Sequence, residues 1–116
     1  MRRRVRFHAD FRADLRAQLG WLREHRDREW IDRLRVALDE GSALLESFPD
    51  IGTIEARDGT VVLRRLLLGK LPYALWYCRD TADPGADVWL LRLFHAAQDR
   101  PLPAVPPMPP RPSRRR

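Results

Sequence analysis

The feature that most constrains this chain is a change in the spacing of its apolar residues at Gly52. Before it, Phe11, Leu15, Leu19 and Leu22 recur at four, four and three residues, and Ile31, Leu34, Leu38, Gly41, Leu45 and Phe48 continue at three and four. That is the period of an amphipathic helix with one face toward a core. After it, TIEAR, VVLRRLLLG, PYALWYCR and DVWLLRLFH are rich in β-branched, aromatic and aliphatic residues, and they are divided by turn-forming DG, GKLP and ADPGAD segments. Such runs are consecutive antiparallel strands. The first segment predicts two helices, broken at EHRDRE (24–29), with Asp27 as the N-cap of the second and Pro49 as its stop. Ahead of both, Val5 and Phe7 alternate as a short strand. The order strand, helical hairpin, then a three- to four-stranded antiparallel sheet is an α+β arrangement with the helices on one sheet face.

Charge narrows the choice of function. The net charge of +6 suggests a polyanionic partner, but seven of the 22 basic residues are Arg2, Arg3, Arg4, Arg111, Arg114, Arg115 and Arg116. Residues 5–100 carry 15 basic and 16 acidic side chains, a net of −1. The body, residues 1–100, therefore reads as one near-neutral domain with charge at its ends. Residues 101–116, with seven prolines, read as an extended, disordered tail that lacks the amide donors of regular structure. A lone cysteine, Cys78, permits no internal disulfide and no cysteine-based metal site, so a reducing cytoplasm is the expected compartment, and no metal or cofactor is expected. No apolar stretch approaches the length of a membrane span, and no membrane partner is expected.

Alternation sorts the strands by face. Tyr73, Leu75 and Tyr77 oppose Ala74, Trp76 and Cys78, while Val88, Leu90, Arg92 and Phe94 oppose Trp89, Leu91, Leu93 and His95. Both faces are apolar and the helices can cover one, which leaves the other as an exposed patch for a partner. Arg64 and Arg65 can grip phosphate or carboxylate; alternatively, one reaches solvent while the other pairs with Glu55. Arg92 calls for an edge position or an acidic neighbour. His95 can transfer protons near neutrality or serve structurally, and Tyr73 and Tyr77 can stack on bases or fill the core. There is no glycine-rich phosphate loop, no paired metal ligands and no serine nucleophile with its base.

The stretches VRFHADFRADLRAQLGWL, LESFPDIG, VVLRRLLLGKLPYALWY and VWLLRLFHAAQDRP, in that order over residues 5–101, resemble the RelE/ParE superfamily of bacterial toxin–antitoxin toxins. The likeness lies in F-x-x-D-L opening a helix, a P-x-x-G turn, an arginine strand, P-Y-x-x-x-Y and a terminal H-x-x-x-D. It implies a cytoplasmic toxin held in a hetero-oligomer by a cognate antitoxin. RelE-like members cut messenger RNA at the ribosome with basic side chains; ParE-like members inhibit DNA gyrase and lack that set. Where the nucleases carry an arginine in the P-Y strand this chain has Ala74, whose methyl group cannot stabilise a developing oxyanion. The HAAQDRP ending has alanines where those nucleases carry basic residues, and FHAAQD is similar to the ParE-type ending. The resemblance thus implies a ParE-like gyrase inhibitor rather than an enzyme, with Arg65, Tyr73, Tyr77 and Arg92 binding target or antitoxin. The alternatives are an endoribonuclease of ribosome-bound mRNA using Arg64, Arg65, Arg92 and His95, and a degenerate toxin that retains antitoxin binding alone.

Overall fold

A computed structural model describes residues 3–95. The proline-rich segment 101–116 and the AAQDRP ending lie outside the described residues. The chain runs β1 (Val5–Phe7), α1 (Ala9–His25), α2 (Arg28–Ser47), β2 (Thr53–Asp58), β3 (Val61–Leu67), β4 (Tyr73–Asp80) and β5 (Val88–His95). Among the described residues no helix is long and apolar enough to cross a membrane.

The helical period places its residues as expected, with differences at the ends. Phe11 and Leu22 of α1 and Leu34, Leu38, Gly41 and Leu45 of α2 are buried, but Phe48, at the C-cap of α2, is 61% exposed. Asp27 is the N-cap of α2, yet its side chain accepts no amide hydrogen bond there. His8 does cap α1, its Nδ1 accepting from the amide of Asp10 at 3.1 Å, which satisfies one of the otherwise orphaned donors of the first turn.

The sheet has five strands in the order β1-β5-β4-β3-β2. The four strands after Gly52 form antiparallel neighbours, and β1 adds to them in parallel at the free edge of β5, pairing Val5 with Val88 and Phe7 with Leu90. Parallel pairing requires a long crossover, and the helical hairpin supplies it. One core lies between helices and sheet, where Tyr73, Leu75 and Tyr77 of β4 and Val88, Leu90 and Leu93 of β5 meet Phe11, Leu22, Leu34, Leu38 and Leu45. Gly41 lets α2 approach closely, since a Cβ there would stand 3.3 Å from Leu68 Cδ2.

The faces of β4 follow simple alternation, whereas those of β5 do not. Trp76 pairs with Arg92 and Tyr77 with Leu90, leaving Leu91 as an extra residue in a β-bulge. Beyond the bulge the alternation is inverted. Leu93 and His95 join Leu90 on the helix side, while Arg92 and Phe94 join Leu91 and Trp89 on the other. The expected grouping of Arg92 with Val88 and Leu90 is therefore corrected by one inserted residue.

Candidate functional site

The sheet face away from the helices carries Leu63, Trp76, Cys78, Leu91 and Phe94, with Ala56, Val61 and Trp89 packed against them. The exposed apolar patch expected here is instead buried: Trp76 and Phe94 are each 8% exposed and Leu63 and Cys78 are 0% exposed. Burial pushes the Cys78 thiol up to about 12, so it is neutral at physiological pH and is no nucleophile.

Three guanidinium groups lie over aromatic rings on this face. Arg6 stands 5.4 Å from the ring centroid of Trp89, Arg65 6.0 Å from that of Trp76 and Arg92 4.7 Å from that of Phe94. Each is also held by an acid. Arg6 meets Asp87 at 3.4 Å, Arg65 meets Glu55 at 3.1 Å, and Arg92 Nε meets Asp14 Oδ2 at 2.7 Å. A guanidinium bridged to a carboxylate and set over a ring has its charge countered there; Arg92 engages Asp14 through Nε and Nη2, whereas Arg6 and Arg65 each engage their acid through a single nitrogen. The face is thus built of three acid–arginine–aromatic units that are locally neutral.

The Asp14 unit joins two elements. β1 ends at Phe7, opposite Leu90, so among the described residues no strand accepts the amides of the β5 edge beyond that point. Asp14 of α1 occupies the gap: Oδ2 accepts from the amide of Leu93 at 2.9 Å and from Arg92 Nε, and Oδ1 accepts from Arg92 Nη2 at 3.0 Å. The hydrogen bond and charge of Asp14 raise the Arg92 pKa further, against the opposing effect of burial. Asp14 was not among the residues expected at a site. Its signal in the sequence is an acid set into the apolar stripe between Phe11 and Leu15.

Arg64 serves a different region. It faces the helices beside Tyr77 and its Nη1 donates to the carbonyls of Asp50 and Gly52 at 2.9 and 2.8 Å. Tyr77 Oη donates to the carbonyl of Pro49 and accepts from the amide of Gly52, each at 2.8 Å. Arg79 Nη2 donates to Asp50 Oδ1 at 2.9 Å. Together they clamp the P-x-x-G turn onto the sheet, and Gly52 is required because a Cβ there would lie 2.7 Å from Tyr77 Oη. The hydrogen bond from Arg79, followed by the charges of Arg79, Arg64 and Arg3, holds the Asp50 carboxyl below its ordinary 3.8 against a smaller opposing effect of burial. Arg79, itself buried, was also not anticipated, because an all-apolar strand pattern gives no hint that an arginine within it has a partner in a turn.

The remaining candidates fall as follows. Tyr73 and Tyr77 are 3% and 0% exposed, and burial raises both hydroxyl pKa values. As core residues they present almost no surface to a base or a partner in this structure; Tyr77 instead holds the backbone of Pro49 and Gly52. His95 lies on the helix side, edge-on to Tyr73 at 5.4 Å between ring centroids. Arg64 and His95 thus face the helices while Arg65 and Arg92 face away, so the four groups of the nuclease alternative do not converge. Ala74, 4% exposed, sits on the away face between Leu67 and Phe94.

No family model matches this sequence, and no curated protein does. Among solved structures, a chain of the archaeal RelE–RelB complex from Pyrococcus horikoshii OT3 matches with a TM-score of 0.56, at 18% identity over 85% of this chain and 100% of that chain. The fold is RelE-like. That likeness spans the α+β arrangement derived above, strand, helical hairpin and antiparallel sheet, and it concerns architecture rather than chemistry.

Proposed function

We propose that this chain is the toxin of a toxin–antitoxin pair, that it acts by binding rather than by catalysis, and that its target is DNA gyrase. The RelE-like fold, shared with a chain from a RelE–RelB complex, supports the toxin reading and an antitoxin partner. The ParE-like choice of target rests on the sheet face alone. The observation that carries it is that, among the described residues, the cross-strand partners of Ala74 are the apolar Leu67 and Phe94, and the two strand arginines of this face, Arg65 and Arg92, are bridged to Glu55 and Asp14. Cleavage of RNA by attack of a ribose hydroxyl needs charge placed where the transition state develops it. A locally neutral face with aromatic rings under guanidinium groups suits protein docking, where arginine and aromatic side chains dominate the binding energy.

The test is a gyrase supercoiling and cleavage assay with purified protein, with and without the antitoxin. Inhibition relieved by the antitoxin supports the proposal. Unaffected gyrase at concentrations that arrest growth, together with new 5′ ends inside codons of translated messages, replaces it with the ribosome-dependent nuclease. Absence of any growth arrest replaces it with a toxin that only binds antitoxin.

A further inference from the structure

Most of the described arginines on the sheet are paired with acids: Arg6 with Asp87, Arg64 and Arg79 with Asp50, Arg65 with Glu55 and Arg92 with Asp14. The tip of the helical hairpin is different. There Arg23 near the end of α1, Arg26 in the link, and Arg28 and Arg35 of α2 line a cavity of about 400 Å³ with Ile31 and Asp32. All four arginines are exposed. Among the described residues Arg23, Arg28 and Arg35 make no ion pair, and Asp32, one turn from both Arg28 and Arg35, pairs with neither. The lining of four guanidinium groups and the one carboxylate of Asp32 leaves an excess of positive charge around the concavity, and a bridging anion relieves the repulsion among the arginines. Guanidinium groups suit phosphate oxygens in particular because they present two parallel donors.

Beside the cavity is an aromatic platform. Trp21 is 46% exposed and stacks on His25 with ring centroids 4.7 Å apart. The Arg26 guanidinium lies 5.5 Å from the Trp21 centroid and 5.9 Å from that of Trp30. A half-exposed indole, stacked on His25 and next to arginines without acidic partners, is a combination suited to single-stranded nucleic acid, with the accessible part of the ring for a base and cations for the backbone. An acidic peptide would use the arginines and leave the indole face unused.

We propose that the hairpin tip is a binding site for single-stranded nucleic acid, with Arg23, Arg28 and Arg35 taking backbone phosphates and Trp21 stacking on a base. It lies on the helical layer, apart from the sheet face discussed above, and does not depend on which target that face engages. The test uses the full chain and a fluorescein-labelled oligo(dT) of about 20 nucleotides, long enough for one site, with binding followed by anisotropy from 50 to 200 mM NaCl. Removing three phosphate contacts lowers the slope of log affinity against log salt by about 2. Arg23→Gln/Arg28→Gln/Arg35→Gln is therefore expected to bind roughly tenfold or more weakly at 50 mM and to show that shallower slope. Arg114→Gln/Arg115→Gln/Arg116→Gln measures the contribution of the terminal arginines and leaves the difference in place. Trp21→Leu is expected to weaken binding by about tenfold with an unchanged slope, the signature of a lost stack. All the substituted side chains of the hairpin are solvent-exposed, and circular dichroism verifies that each variant is folded. An unchanged slope in the triple hairpin variant overturns the proposal. So does binding of a polyglutamate peptide through the same arginines without binding of the oligonucleotide.

Discussion

Replacing Asp14 with alanine removes the acceptor that ties α1 to the edge of β5. Its carboxylate takes three hydrogen bonds, two from Arg92 at 2.7 and 3.0 Å and one from the Leu93 amide at 2.9 Å. The side chains of Asp14 and Arg92 are 16% and 31% exposed, so water replaces only part of what is lost. A buried amide left without an acceptor costs about 1–3 kcal/mol, and a hydrogen bond to a charged group contributes about 1.5–3 kcal/mol. Discounting the partly exposed arginine, Asp14→Ala is expected to lose about 3 kcal/mol. Against a domain stability of roughly 5–15 kcal/mol that is a large fraction, and it moves the urea midpoint by roughly 1–3 M at the slopes of small proteins. Asp14→Asn, which keeps an oxygen for the Leu93 amide, is expected to lose about half as much. A double-mutant cycle with Arg92→Leu isolates the pair from the amide contact. The reasoning is refuted if both Asp14 variants stay within about 0.5 kcal/mol of the parent, a shift typical of substitutions that break nothing.

Three further outcomes can be checked. Tyr77→Phe strips the P-x-x-G turn of two buried 2.8 Å hydrogen bonds and is expected to cost about 2 kcal/mol, read as a thermal midpoint lower by roughly 8–16 °C; a shift under 2 °C would show that water replaces the hydroxyl. Cys78, 0% exposed with its thiol pushed up to about 12, is expected to resist an aromatic disulfide reagent at pH 8 until urea unfolds the chain. Immediate labelling of the native protein would contradict the buried face. Asp50 is held below its ordinary 3.8 in the folded protein, so its stabilising effect is fully present above that value and is lost as pH falls toward the lower folded value. Asp50→Asn is therefore expected to be less stable than the parent at pH 7, with a gap in urea midpoint that narrows at pH 3; an equal gap at both would remove the Arg79 and Arg64 pairing as its cause.

The sequence was informative where the controlling interactions are local. Helix and strand spans, the stop at Pro49 and the two faces of β4 follow from apolar spacing and turn residues, because each is set by neighbours within a few positions. That one of Arg64 and Arg65 pairs with Glu55 and that Arg92 needs an acid or an edge were also legible, since a charge in an apolar strand must be satisfied, but which of the two arginines pairs was not, and Arg64 donates to the carbonyls of Asp50 and Gly52 rather than reaching solvent alone. What periodicity could not register was the extra residue at Leu91, since a bulge is defined by the partner strand. That single residue places Arg92 and Phe94 on the face opposite to the one alternation assigns.

The near-neutral charge of the body belongs to the sequence itself, but how that neutrality is distributed was decided by the fold. Asp14 and Arg92 are 78 positions apart, and Arg79 and Asp50 are 29 apart; β1 reaches β5 only after the whole helical hairpin has intervened. Contacts at such separations depend on how layers stack and strands register. Local periodicity carries none of that information, and so it was the tertiary structure that bridged Arg92 and Arg79 to their distant acids, while Arg23, Arg28 and Arg35 at the hairpin tip make no ion pair among the described residues.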